Sequence, residues 1–328
     1  MSIHKKSRAD FRHTVEPCRK RLLGKLRPSC FRSLLVCFRF LLLAVTIGLC
    51  AEARASEVPQ YRFGVTPWQH GQSQDDIREL YKPLLEWLGR TVGAEFVIVG
   101  ANGYGEMIDL LANESIDLAS ISPVPFVLAK QRNPRVTMLV TELSWDYSGH
   151  SKSPSYEGFI IARTDRHDIS GLESLRGMRF GFVRNQSTSG FVYPVAYMLR
   201  NGVDYKDFFG RVYFLGSQPR VTDAVASGSI DAGVTWDYNL RQAVAKHGPV
   251  FKIVAKTGNI PNLGIAANNA VTPAMQAKIQ TALLNVDETL LRGLPAAGYV
   301  VKDDSYYNPV RDVVELVSTA PGLIGEDR

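Results

Sequence analysis

The chain has 328 residues, with 38 Lys and Arg against 32 Asp and Glu and a formal net charge of +6. The basic excess is confined to residues 1–55, which hold twelve Lys and Arg and three acids, so residues 56–328 carry 26 against 29, a charge of −3. A basic face for a nucleic-acid backbone is therefore excluded from the body of the chain, and no nucleic-acid partner is expected.

The N-terminus reads as a targeting segment. A basic stretch runs into an apolar core, Phe40 to Ala51, and then Ala53-Arg54-Ala55. This is the order of a secretory signal peptide with a cut after Ala55, and the apolar run is too short to span a membrane as a helix. All four cysteines, Cys18, Cys30, Cys37 and Cys50, precede that cut. The exported protein would have no disulfide, no thiolate metal ligand and no Cys nucleophile, which fits a bacterial periplasm. Lipidation at Cys50 is the alternative, disfavoured by Leu49 where a small residue is usual.

About 270 residues remain, enough for two lobes, and the pattern alternates strand and helix. Tyr61 to Val65 reads as a strand, and Ile77, Leu80, Tyr81, Leu84 and Leu88 keep helical spacing. Phe96 to Val99 is a second strand, Tyr104 to Leu111 a helix, and Asp117 to Ile121 a third strand ending at Ser122-Pro123. Strands follow at Thr137 to Thr141 and Tyr156 to Ala162. Ser170 and Glu173 suggest a capping box before a short helix. A strand over 178–183 leads to a helix over 190–200, and Thr272-Pro273 starts a long helix to about Leu291. The alternation predicts an α/β fold with mainly parallel sheets.

The turn between the strand at 178–183 and its helix is Ser187-Thr188-Ser189-Gly190. Free N–H groups at a helix start carry partial positive charge, hydroxyls add donors, and a glycine lets the backbone approach a ligand. No Lys follows as in a nucleotide-binding P-loop, so a small oxyanion fits better. Pro194 lacks the N–H that would bond back to residue 190. The competing reading is a plain helix cap at Ser187 or Ser189.

An internal echo supports a two-lobed plan. MIDLLANESIDLASI over 107–121 and VTDAVASGSIDAGVT over 221–235 each read as helix, polar turn and a strand opened by Ser-Ile-Asp. The strands end near Ser122 and Asp237, and ligands of open α/β sheets sit beyond such ends. Asp237 reads equally as an N-cap, Tyr104 as core, and Trp68 and Trp236 as packed or cleft-lining. His70, His150, His167 and His247 lack metal-ligand spacing, and there is no Gly-x-Ser-x-Gly elbow. No metal, cofactor or catalytic residue is expected.

Taken together, these segments resemble the phosphonate/phosphite/phosphate-binding proteins of bacterial ABC importers, over nearly all of 60–290. The likeness rests on Tyr81-Lys-Pro-Leu-Leu-Glu-Trp-Leu-Gly89, Ile116-Asp-Leu-Ala119 leading to Pro123, Ser155-Tyr156, Leu172 to Gly177, the Ser-Thr-Ser-Gly turn with Pro194, Gly216-Ser217 and Ala226 to Gly233. It implies a type II periplasmic binding protein. Lobe 1 would be 56–162 with a return segment at 252–328, lobe 2 would be 163–251, and crossovers would lie at about 156–162 and 252–260. It implies that Ser187, Thr188 and Ser189 hold the anion, with Gly190 shaping the turn and Tyr104 and the 122–126 loop closing over it. Asp237 falls where aminophosphonate binders use an acid, and Tyr156 at a crossover. Two departures stand out: Gln218 where the family often has His, and Phe126 where many members have Tyr. The implied function is capture of a phosphonate or phosphite by hinge closure of a monomer, for delivery to an ABC permease. The alternatives are a sensing partner of a membrane histidine kinase and an exported hydrolase.

Overall fold

The computed structural model describes residues 58–66 and 73–319. The expected signal peptide, the four cysteines, Trp68 and His70 lie outside them. Strand β1 (Gln60–Val65) is followed by a helix over Gln74–Val92, because Ile77, Tyr81, Leu84, Leu85 and Leu88 fall on one buried face. Ser73 opens this helix with a capping box. The Asp76 N–H donates to Ser73 Oγ at 3.0 Å, and the Ser73 N–H donates to the Asp76 carboxylate at 2.7 Å. Next come β2 (Glu95–Gly100), a helix over Tyr104–Ala112, β3 (Leu118–Ile121), a helix over Pro123–Arg132 and β4 (Thr137–Glu142). A hairpin of β5 (Ser144–Trp145) and β6 (Lys152–Ser153) leads to β7 (Ser155–Arg163).

The same order then recurs. Strand β8 (Arg179–Phe182) feeds helical residues Thr188–Val192 and Tyr193–Arg200. After β9 (Arg211–Phe214) comes a helix over Gln218–Ala226, and after β10 (Ala232–Trp236) a helix over Asp237–His247. Strands β11 (Phe251–Pro261) and β12 (Gly264–Ala267), a helix over Pro273–Leu284, β13 (Tyr299–Val300) and a helix over Asn308–Ser318 complete the described chain.

The strands form a six-stranded sheet, β13-β4-β12-β3-β1-β2, and a five-stranded sheet, β11-β7-β10-β8-β9. The expected α/β class holds, but the sheets are mixed rather than mainly parallel. The pairs β1–β2, β1–β3, β8–β9 and β8–β10 are parallel, as helical crossovers require. Every pairing that involves β4, β7, β11, β12 or β13 is antiparallel. Helices do join β3 to β4, β10 to β11 and β12 to β13, but in each case one strand, β12, β7 or β4, is inserted between the two and runs antiparallel to both.

The segments expected as crossovers, 156–162 and 252–260, are themselves strands of the second sheet. They pair with each other from Arg163↔Phe251 to Ser155↔Pro261. The chain therefore changes sheet before Ser155 and after Pro261, outside the expected span of 163–251. Two smaller expectations also change. The helix begun by Thr272 ends at Leu284, and Glu288–Leu291 is a separate tight turn capped by Asp287. No capping box forms at Ser170: the Ser174 hydroxyl accepts the N–H groups of Ser170 and Gly171 instead.

The internal echo is structural. Asp117, just before β3, accepts the backbone N–H of Arg62 on β1 at 2.7 Å and its guanidinium at 2.7 and 3.1 Å. Asp231, just before β10, accepts the backbone N–H of Arg179 on β8 at 2.9 Å and its guanidinium at 3.0 Å. Each Ser-Ile-Asp thus buries its isoleucine and ties two parallel strands at the end away from the helix starts discussed below. The helix over Asn308–Ser318 packs on both Pro123–Arg132 and Tyr193–Arg200, so the chain end touches elements of both sheets.

Candidate ligand-binding cleft

The Ser-Thr-Ser-Gly turn stands at the carboxyl end of β8 and is buried: Ser187, Thr188 and Ser189 are 1, 3 and 5 % exposed. Its geometry follows from Pro194. Without an N–H at 194, the Gly190 carbonyl has no helical donor and accepts from the Val183 N–H instead, at 3.0 Å. The turn widens to π form over Thr188–Val192, with the Val192 N–H reaching back five residues to the Ser187 carbonyl at 3.0 Å. Glycine is required at 190 because a Cβ there would lie 2.5 Å from both Ser187 Oγ and Val183 Cγ2. The amides of Thr188, Ser189 and Gly190 open the turn and have no intrahelical acceptor. The Ser187 side chain makes no cap bond, so the plain-cap reading does not describe it.

The hydroxyls of the turn are tied to their surroundings. Each serine has a tyrosine as neighbour: Ser187 lies beside the Tyr104 phenol and Ser189 beside that of Tyr156, and each offsets part of the rise that burial causes. The Gln218 amide donates to Ser189 Oγ at 3.2 Å. Thr188 Oγ1 accepts the Val124 N–H from the other sheet's side at 3.1 Å, which leaves its own proton to donate. Arg184 also reaches across: its Nε donates to the Gly216 carbonyl at 3.0 Å and Nη1 to the Asn102 carbonyl at 3.2 Å. These contacts close the two halves around a cavity of about 350 Å³. Burial raises the Tyr104 and Tyr156 phenols, so both remain protonated donors at neutral pH.

Of the expected site residues, Tyr104, Ser122, Tyr156, Ser187, Thr188, Ser189 and Gln218 are brought together on this cavity. Gly190 supports the turn from behind rather than lining it. Asp237 also does not line it, nor is it an N-cap. It is the first residue of its helix, and its Oδ2 accepts the Glu157 N–H of β7 at 2.9 Å. Burial pushes this carboxyl up to about 6. Trp236 does line the cavity, packed edge-on to Tyr156 at 5.0 Å between centroids. The segment 122–126 is not a loop but the first turn of a helix, with Ser122 at its N-cap. Phe126 is fully buried against Tyr307 and does not face the cavity. Sequence reasoning missed Arg184, Tyr81 and Glu142 as lining residues. Arg184 follows the β8 run directly and was legible as a cation beside the turn. The other two come from distant elements whose meeting no local pattern announces.

Helices start at this cavity from both sides. The N-caps Gly103, Ser122, Ser187, Ser217 and Trp236 all line it, and none makes a side-chain cap bond. Their dipoles direct positive ends into one space, and all but the Ser122 start, where Pro123 and Pro125 lack N–H groups and Val124 donates to Thr188, bring free first-turn amides as well. Ser217 Oγ and Gln218 Oε1 are buried without a partner. Such a space suits an anion with several acceptor oxygens.

Residues 63–307 match a protein family described as the periplasmic substrate-binding protein of the phosphonate ABC transporter. The chain belongs to that family. Its members are solute-binding proteins, and the family is periplasmic. Among relatives of this phosphonate-binding family, a phosphate-import protein PhnD of Mycolicibacterium smegmatis is 28% identical over 221 residues, 64% of this chain and 67% of the relative. A probable ABC transporter phosphite-binding protein, PhnD1 of Prochlorococcus marinus, is 25% identical over 175 residues, 52% of this chain and 58% of the relative. Two solved structures share the fold with a TM-score of 0.66. One is a binding-protein component of an ABC phosphonate transporter from Pseudomonas aeruginosa, 19% identical, covering 79% of this chain and 86% of that one. The other is the Prochlorococcus PhnD1 with methylphosphonate, 18% identical, covering 80% and 99%.

Proposed function

We propose that this protein captures a small phosphorus oxyanion, of the phosphonate or phosphite class, in the cleft between its two sheets. The observation that carries this is the convergence of four helix starts with free first-turn amides on one cavity beside Thr188, whose hydroxyl proton remains available. The amides of Thr188, Ser189 and Gly190 would replace water around the anion from one side. The Ser122 hydroxyl and the Tyr104 phenol would do so from the other. Hydrogen bonds to a charged acceptor are the stronger class.

The paired strands β7 and β11 would act as the hinge between lobes, with Thr188–Val124 and Arg184–Asn102 as the contacts made on closure. The closed form of a monomer would then be presented to a membrane permease. Binding without turnover fits the neighbours of the serine hydroxyls, which are tyrosines and Gln218 rather than a histidine.

The test is thermal unfolding of the purified protein against phosphite, methylphosphonate, phosphate and sulfate. Ligand at a hundred times its Kd adds about 2.7 kcal/mol of stability. A shift with a phosphorus oxyanion that is lost in Thr188→Ala supports the reading. Stability unchanged across the series, or hydrolysis of a phosphonate or phosphate ester, overturns it.

A further inference from the structure

Three of the helix starts with free amides meet at one residue. Arg184 leaves β8 just after Val183, whose carbonyl accepts the Gly216 N–H at 2.9 Å. The Arg184 carbonyl accepts the N–H of Ser187, the N-cap of the turn, at 3.0 Å. Its Nε donates to the Gly216 carbonyl, just before the N-cap Ser217. Its Nη1 donates to the Asn102 carbonyl, just before the N-cap Gly103. Ser187 and Ser217 follow strands of the five-stranded sheet, whereas Gly103 follows a strand of the six-stranded sheet. One side chain thus joins helix starts from both sides of the cleft.

A trans peptide is planar and holds its C=O and N–H in opposite directions. A carbonyl drawn to the guanidinium therefore turns the N–H of the same peptide away from it. Those N–H groups belong to Gly103 and Ser217, which line the cavity and have no acceptor among the described residues. The backbone on either side is shaped for this contact. Asn102 is fixed by its own N–H, which donates to Glu106 Oε2 at 2.6 Å. A Cβ at Gly103 would come within 3.0 Å of Arg184 Nη1, so glycine there lets the guanidinium approach the main chain. Gly216 lies at a φ of 81°, in the left-handed region that favours glycine. The Arg184 hydrogen bonds go to backbone carbonyls, with no carboxylate partner among the described residues. The side chain is exposed, so it belongs to neither core.

We propose that Arg184 is a positioning residue that clamps the helix starts at Gly103 and Ser217 across the cleft, so that their N–H groups join those of the turn as donors to the bound oxyanion. It acts through the two peptides and does not itself touch the ligand. This rests on the reading of the cleft as an oxyanion seat. Opening the cleft must break the Asn102 contact, so the clamp slows release rather than speeding capture. Two carbonyls suit the planar fork of an arginine, whereas a lysine offers one nitrogen.

The experiment measures methylphosphonate binding to the unmodified protein, Arg184→Gln and Arg184→Lys. Calorimetry gives affinity, and stopped-flow tryptophan fluorescence gives rates, with Trp236 in the cavity wall as a reporter. Arg184→Gln should weaken binding about tenfold or more, chiefly through faster dissociation. Arg184→Lys keeps the charge without the fork and should still weaken it about fivefold or more. The losses should be alike at low and high salt, because the clamp acts through neutral peptides. Melting temperatures without ligand should stay within about 3 °C of the unmodified protein, because the side chain is exposed. Full affinity in Arg184→Lys, or a loss confined to association and erased by salt, makes Arg184 a steering charge and overturns the inference. A melting temperature that falls by more than about 5 °C in both variants makes it a structural prop and overturns it too. If both variants bind like the unmodified protein, the clamp fails while the oxyanion seat stands. If the unmodified protein does not bind methylphosphonate, the seat itself fails and the inference with it.

Discussion

Two sets of helix starts in this molecule contrast, although Leu172 and Tyr307, away from the cavity, also start theirs without a side-chain cap bond. Away from the cavity, Ser73, Asp204, Thr272, Asp287 and Asp303 each cap their own helix or tight turn with a side-chain oxygen. At the cavity, Gly103, Ser122, Ser187, Ser217 and Trp236 make no side-chain cap bond, and all but the Ser122 start leave first-turn amides bare. Three of these are serines, a residue suited to capping, so composition alone does not explain the difference. An outward start stabilises itself. An inward start keeps its donors for something else, and the fold supplies its stability through packing. The acids follow the same division. Asp231 is saturated by Arg179 and Arg166, which hold it well below the usual carboxylate range, while Glu142 has no donor and is pushed upward by burial.

Substitutions can break this contrast, and the largest effect is expected at Gly190. In Gly190→Ala the new Cβ would collide with Ser187 and Val183, forcing the turn out of its π form. Oxyanion affinity should fall at least a hundredfold, about 2.7 kcal/mol by titration calorimetry. Stability should drop by about 1–3 kcal/mol, as for other overpacked sites.

Glu142 gives an effect of similar size through pH. Its carboxyl binds a proton more tightly in the folded state, at about 7, than unfolded, near 4.5. Its contribution is therefore fully present below pH 4.5 and is lost as pH rises to 7, by up to about 3 kcal/mol. Denaturant titrations across that range should show this slope flattened in Glu142→Gln. An unchanged slope would mean that Glu142 is solvated.

Thr188→Ala removes one donor but leaves the backbone turn. Affinity should weaken by about 1.5–3 kcal/mol, with no new stability loss beyond the Val124 contact. The smallest effects sharpen the comparison most. Ser73→Ala and Thr272→Ala should each cost about 1 kcal/mol of stability and leave oxyanion binding unchanged. Ser122→Ala and Ser217→Ala should leave the melting temperature nearly in place, because no cap bond is lost. Binding should weaken in any of the two whose hydroxyl meets the ligand.

Much of this was readable from local pattern. The β1 strand, the Ile77–Leu88 helix and the Ser-Thr-Ser-Gly turn with Pro194 rest on neighbours in sequence, and the structure places them as expected. The Ser-Ile-Asp echo was legible too, although its purpose was not: only the paired strands show Asp117 and Asp231 each clamping an arginine. What escaped depends on contacts between distant segments. The direction of β12 against β3 follows from the chain's return after a whole second sheet, and no periodicity encodes that. Asp237 carried two local readings, cap or ligand contact, and the backbone of Glu157, eighty positions earlier, takes its Oδ2 while Oδ1 is buried without a partner. Glu142 ends an ordinary strand, and its isolation is visible only once Tyr81, Tyr299 and Tyr307 surround it.

The most direct test is a crystal structure of the protein with methylphosphonate. This account predicts the phosphonate oxygens within hydrogen-bond distance of the Thr188, Ser189 and Gly190 amides and the Thr188 hydroxyl, with the Tyr104 phenol opposite. An anion bound elsewhere, or a turn whose amides remain unengaged in the complex, would contradict it.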